Sequence, residues 1–194
     1  MTIIEKQLPE GDTYLRGTPG QTIGPFFKFG LEYDGGPYVV PPHAPGALFL
    51  RGNVYDGAGY AIPDALVEIF GADTDGTIPQ TRGSLHRDGH GFTGWGRSAT
   101  DDEGKYFFWT RTPGATEPGK APFFAVMLFA RGLPNKLHTR IYLPDDEAAL
   151  AADPLLSSLS PSERASLIAT RDEDGSLRHD LWMQGEKETV FFAY

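Results

Sequence analysis

The stretch ALFLRGNVYDGAGYAIPDALVEIF, residues 47–70, decides the fold class. It holds two apolar runs, LFLRGNVYD from Leu48 and ALVEIF from Ala65 to Phe70, parted by the turn residues Gly57-Ala58-Gly59. Short runs rich in aromatic and β-branched residues, bounded by glycine, proline and aspartate, read as strands. The same signature returns in KYFFWT (105–110), FFAVMLFA (123–130), KLHTRIYL (136–143), LRHDLWMQ (177–184) and TVFFAY (189–194). Many short strands with turns between them predict a mainly β chain folded as an antiparallel β-sandwich.

Helix signals are expected in one place only, late in the chain. Ser160-Pro161-Ser162-Glu163 combines an N-cap serine, a proline at the first helical position and a glutamate at the third, a capping box that opens RASLIATR (164–171). The preceding DDEAALAADP (145–154) reads as a shorter helix that stops before Pro154. One or two short helices therefore interrupt the strands. Upstream, the Gly-rich stretch 71–96 shows no periodicity, and a loop longer than about 15 residues inside a compact domain is usually functional. Residues 1–45 differ again: glycines and prolines punctuate short apolar pieces that carry Phe26, Phe27, Phe29, Tyr33 and Tyr38. So many aromatic rings do not suit a disordered tail. The expectation is an extended N-terminal arm over 1–45, ordered by packing on a partner chain, followed by a β-sandwich domain over 46–194.

Composition narrows the chemistry. The 194 residues include 24 Gly and 16 Pro, which excludes a helical bundle, while 40% hydrophobic and 12% aromatic content suffices for a sizeable core. A net charge of −9 repels phosphates on average, so neither nucleic acid nor an anionic membrane is an expected partner. The start MTIIEKQLPEGDTYLRG has no basic segment and apolar run of signal type, and no window is long and apolar enough for a bilayer span, which predicts a cytoplasmic protein. Cysteine is absent, so a metal would have to be held by histidine, tyrosine or carboxylate.

Local motifs for such a site are missing. His43, His86, His90, His138 and His179 form no H-x-H or H-E-x-x-H pattern, and His86 and His90 lie in the irregular loop, where a spacing of four says little. No G-x-S-x-G elbow surrounds Ser84 or Ser98, and the glycines at 89, 91, 94 and 96 lack the GK[ST] of a phosphate loop. Asp101-Asp102 and Asp145-Asp146 sit at turns or helix starts, where aspartate caps amides. Two features carry more information. TPGQTIGPFF (18–27) pairs glycines that permit close backbone approach with the stiffening Pro25, so it suits a cavity wall. Arg131-Gly132 ends an almost wholly apolar strand; the arginine either snorkels to solvent or reaches into a cleft to hold a carboxylate.

TPGQTIGPFF (18–27), GNVYDGAGYAIPDALVEIFGADTDG (52–76), FTGWGRSATDDEGKYFFWTRTPG (92–114), FARGLPNKLHTRIYLPDD (129–146) and QGEKETVFFAY (184–194), in that order over nearly the whole chain, resemble the intradiol ring-cleavage dioxygenases. Within that family they are similar to the alpha chains of the heteromeric, protocatechuate-cleaving members. The resemblance implies a β-sandwich working in αβ protomers that assemble further, with non-haem Fe(III) and O2 converting 3,4-dihydroxybenzoate into 3-carboxy-cis,cis-muconate. It also implies that the iron belongs to the beta chain, on two tyrosines and two histidines, one tyrosine shortly after a Pro-Gly turn and the histidines in an R-P-A-H-I-H run. Here the residue after Pro113-Gly114 at the tyrosine's place is Thr116, the histidine places carry Phe123 and Ala125, and the other tyrosine would fall near Ser84. None of these donates a tyrosinate or imidazole. This chain is therefore expected to hold no metal, its equivalent site being vestigial and packed with apolar side chains.

The resemblance further places Thr22, Gly24, Pro25 and Phe26 on the wall of the beta chain's substrate cavity, with Phe26 standing where a tyrosine is common. It matches Arg131 to the group that approaches the shared cleft from the alpha side, where it is expected to stabilise either the substrate carboxylate or the charge of the cleft. A free-standing, non-enzymatic β-sandwich binding module is the competing reading of the same strand pattern.

Overall fold

The computed structural model describes residues 19–80 and 91–193. Two sheets pack face to face. The first is built on β1 (Ala47–Tyr55), which pairs antiparallel with the whole of β4 (Lys105–Arg111), from Ala47 opposite Arg111 to Asn53 opposite Lys105. The second runs in the order β3 (Trp95–Ala99), β2 (Leu66–Gly71), β5 (Phe123–Phe129) and β6 (Leu137–Tyr142), every neighbour antiparallel. Side chains alternate along each strand, so Leu48, Leu50 and Val54 of β1 and Tyr106 and Phe108 of β4 meet Val67 and Ile69 of β2 and Phe124, Val126 and Leu128 of β5 in one core. The sandwich read from residues 47–70 is the fold found. Among the described residues no helix is long and apolar enough to cross a membrane.

The ends of the chain depart from the expected strands, and for local reasons. LRHDLWMQ yields two short pieces, β8 (Leu177–Arg178) and β9 (Leu181–Trp182), both parallel to β1. They keep one register on β1, Leu50 opposite Leu177 and Val54 opposite Leu181. Between them the His179 amide still donates to the Arg51 carbonyl at 2.9 Å, and side chains take the next positions: the Asn53 amide donates to Asp180 Oδ1 at 2.9 Å and the Tyr106 hydroxyl donates to the His179 carbonyl at 2.7 Å. Gly52 makes this possible, since a Cβ there would lie 1.7 Å from the His179 carbonyl oxygen. TVFFAY is not a strand over its described residues 189–193. Its backbone bonds go one at a time to separate partners, Val190 to the Ser166 hydroxyl and Phe192 to the His138 carbonyl, so no ladder forms.

Three helices stand late in the chain rather than one or two: α2 (Glu147–Ala152), α3 (Pro154–Ser158) and α4 (Pro161–Ala165). Asp153 divides the first two, its carboxylate accepting from the Leu155 and Leu156 amides while Pro154 opens the new helix. The capping box at Ser160 and Glu163 is formed, but its helix ends at Ala165 because Ile168 bridges to Tyr142 and Thr170–Arg171 form the short strand β7. A fourth helix, α1 (Phe27–Leu31), lies in the arm, where no helix was expected. It has no side-chain cap; tertiary contacts hold it instead. Phe27 packs on Phe129 with ring centroids 5.4 Å apart, and Lys28 donates to the carbonyls of Pro63 and Thr100. Arg97 of β3 then locks the arm, taking the Leu31 carbonyl with one nitrogen and the buried Glu68 carboxylate with two others, under Tyr33 and Trp95.

Candidate functional site

The two motifs singled out in the sequence meet. Strand β5 ends in a tight turn, Ala130-Arg131-Gly132-Leu133, in which the Leu133 amide reaches back to the Ala130 carbonyl and Gly132 adopts φ +84°. The arm docks on this turn through a pair of backbone hydrogen bonds, Ile23 to the Leu133 carbonyl and Gly132 to the Ile23 carbonyl, 3.1 and 3.2 Å long. Ile23 lies between Thr22 and Gly24, so the conformation of the arm motif is tied directly to the turn that carries Arg131. Thr22, Gly24, Pro25 and Phe26 face away from the sandwich; Phe26 is 80% exposed. Thr18, the first residue of the motif, lies outside the described residues.

Arg131 projects beside a cleft of about 520 Å³ lined by Asp56, Ile62, Pro63, Leu133, Met183 and Gln184. Its side chain is 55% exposed, and its Nε lies 2.6 Å from Oδ2 of Asp64, whose side chain is only 7% exposed. The arginine is thus neither a solvent-snorkelling group nor a free cation: one face is held and the other is open. Sequence reasoning missed Asp64. A signal was present, an acidic residue directly ahead of the apolar run ALVEIF, a position from which its side chain is carried under the sheet. A larger cleft of about 620 Å³ lies between α1 and the outer side of β1 and β4, but its guanidiniums Arg51 and Arg178 are both engaged by the single carboxylate of Asp172.

Of the places where the resemblance puts iron ligands, those among the described residues, Thr116, Phe123 and Ala125, carry no donor that suits a ferric ion. Thr116 and Ala125 are exposed, and Ser84, like His86 and His90, lies outside the described residues. Phe123 packs beside Tyr142 on neighbouring strands, and Arg140, opposite Ala125 in the register of β5 and β6, lays its guanidinium 4.1 Å from the centre of the Phe123 ring and 5.6 Å from that of Phe192. Its Nη1 donates to the Tyr142 hydroxyl at 3.0 Å. Burial is the leading influence on that phenol and raises its pKa, which opposes a tyrosinate. The expected apolar filling is therefore corrected in one respect: aromatic rings fill the place together with a guanidinium. A resident cation and a protonated phenol do not fit Fe(III). Among the described residues no group of three or more histidines and carboxylates is placed to hold a metal.

Residues 41–185 match the dioxygenase family in its C-terminal domain. The protocatechuate 3,4-dioxygenase alpha chain of Burkholderia cepacia is 37% identical over 93% of this chain and 98% of its own length. That of Pseudomonas putida is likewise 37% identical, over the same shares of the two chains. Catechol 1,2-dioxygenase from Pseudomonas arvilla, at 22% identity and a TM-score of 0.54 over 76% of this chain and 55% of its own, shares the fold.

Proposed function

Because this chain belongs to the intradiol dioxygenase family, we propose that it is the alpha-type subunit of a heteromeric enzyme that opens the ring of protocatechuate with O2, between the two hydroxylated carbons, to give 3-carboxy-cis,cis-muconate. Family members depend on non-haem iron(III). The single observation that carries the subunit reading is the pairing of a ligandless site at Phe123, Ala125 and Arg140 with an intact junction between the arm and Arg131. The iron then belongs to a partner beta chain, and this chain contributes shape and charge.

In this reading the outward side of the arm, Thr22, Gly24, Pro25 and Phe26, walls the partner's substrate cavity, and the apolar Phe26 ring excludes water from it without offering a hydroxyl. Arg131 faces the substrate carboxylate. A chain of net charge −9 repels an anionic substrate on average, so a local guanidinium at the mouth of the cleft both attracts and orients it. The αβ protomers associate further, and the enzyme works in the cytoplasm.

The test is co-purification with the beta chain. The expected result is a coloured ferric complex with one iron per αβ pair that cleaves protocatechuate, in which Arg131→Ala raises KM about tenfold or more, the loss of one charge-assisted contact. A stable colourless monomer that adds nothing to the beta chain, or iron bound by this chain in isolation, would overturn the proposal.

A further inference from the structure

We propose that Asp64 is a positioning residue for Arg131, setting the guanidinium so that its outer edge receives the substrate carboxylate; this rests on the role given to Arg131 above. A carboxylate with 7% of its side chain exposed is costly to keep unless it is well paired. Asp64 is not well paired by ordinary standards. Neither of its oxygens accepts a hydrogen bond of good geometry among the described residues, and its close charged neighbour is Arg131 Nε at 2.6 Å. Ala65 and Leu66, which follow it, are fully buried, so an apolar residue at 64 would suit the surroundings better than an ion. A buried acid with so little compensation contributes through where it holds its partner.

The backbone around Asp64 is secured on both sides. The Thr100 hydroxyl donates to the Ile62 carbonyl at 2.8 Å and accepts from the Ala65 amide at 2.9 Å, and Lys28 donates to the Pro63 carbonyl at 3.0 Å. The carboxylate is therefore a fixed point against which Arg131 rests. Contact through Nε leaves the terminal nitrogens without a hydrogen bond among the described residues, on the side of the 520 Å³ cleft. A guanidinium presents two parallel N–H groups along an edge, which is the geometry that grips a carboxylate. Without Asp64 the long side chain regains rotamer freedom, and the edge is no longer aimed.

The experiment compares kcat/KM for protocatechuate and for catechol, which lacks the carboxylate, in the assembled αβ enzyme. Asp64→Leu is expected to lower the protocatechuate-to-catechol ratio about tenfold, mainly through KM for protocatechuate, with no further fall when combined with Arg131→Ala. Asp64→Asn, closest in shape, serves if the leucine variant does not assemble and is expected to move the ratio in the same direction. An unchanged or raised ratio overturns the proposal, because it would mean that Asp64 only masks the charge of Arg131. So does an equal fall for both substrates, the mark of a merely structural role. If Arg131→Ala itself leaves the ratio unchanged, the role given to Arg131 fails as well; if Arg131→Ala lowers it and Asp64→Leu does not, only the positioning role fails.

Discussion

His179 makes the stability of this chain sensitive to mild acid. It is buried at the break between β8 and β9, its amide donating to the Arg51 carbonyl and its carbonyl accepting from Tyr106. The ring Nε2 lies 3.0 Å from the Ser166 carbonyl and so carries the proton, while Nδ1 is buried with no hydrogen-bond partner among the described residues. Protonating Nδ1 would bury a charged donor with nothing to receive it, and burial accordingly pushes the ring's pKa down to about 4 from an ordinary 6.5. Above pH 6.5 the ring is neutral in both the folded and the unfolded chain and stability is unaffected. As the pH falls from 6.5 toward 4 the unfolded chain takes up a proton that the folded chain refuses, so stability drops, and below about 4 the loss levels off. At about 1.4 kcal/mol per pH unit this amounts to about 3 kcal/mol in full, and about 2 kcal/mol already at pH 5. Urea unfolding of the wild-type chain and of His179→Gln at pH 7.5, 6, 5 and 4 measures it. Gln cannot titrate, so the difference between the two curves is expected to change by about 3 kcal/mol across the window. Groups common to both proteins cancel, including His138, held low by partial burial and Lys136, and Glu163 and Asp174, held low by their serine partners. Parallel curves, or an NMR titration of the His179 ring with a midpoint near 6.5, would refute the reasoning.

Two further substitutions test the packing that positions the site. Gly52→Ala would place a methyl group 1.7 Å from the His179 carbonyl and 2.9 Å from the Tyr106 hydroxyl, both held in place, so β8 and β9 must part from β1; a thermal-melt loss of at least about 3 kcal/mol is expected, and a loss below about 1 kcal/mol would contradict the contact. Arg97→Ala strips the buried Glu68 of its partner and unlatches Leu31; it is expected to cost about 3–5 kcal/mol in urea unfolding, with Glu68→Leu in the same background recovering part of the loss.

What the sequence disclosed follows from how far each signal reaches. Period-two apolar runs are a local record of a two-layer fold, so β1, β2, β4, β5 and β6 were all legible. Strand β3 was not, because Trp95-Gly96-Arg97-Ser98-Ala99 carries little apolar content; it is a strand through its pairing with β2, where Arg97 stands opposite Glu68. The helix α1 was hidden for the same kind of reason, its five residues including a glycine and two aromatics with no side-chain cap, and it exists through Phe129, Pro63 and Thr100, all distant in sequence. Within the candidate site, Arg131 and the arm motif were visible as unusual residues in apolar company. Their meeting was not, since it rests on two backbone hydrogen bonds between residues more than a hundred positions apart. Asp64 was passed over because an aspartate after proline normally reads as turn chemistry.

The ligandless site is more than a set of missing donors. A metal with four protein ligands ties several segments together, and a chain that loses it must tie them otherwise or give up that part of its core. Here Asp153 joins α3 to the approach of β5 by accepting from the Ala121 amide at 3.0 Å as well as from its own helix. Arg140 joins β5, β6 and the C-terminal segment by lying against Phe123 and Phe192 and bonding to Tyr142. A guanidinium suits this place better than an ammonium would, because it is weakly hydrated and its flat face stacks on aromatic rings. Its charge also changes the consequences of restoring ligands. Ala125 stands directly across from Arg140, so an imidazole introduced there would hold any ferric ion against a fixed positive charge. The absence of imidazole and tyrosinate donors at Phe123 and Ala125 and the presence of the Arg140 guanidinium beside them therefore act in the same direction, against a ferric ion at this place.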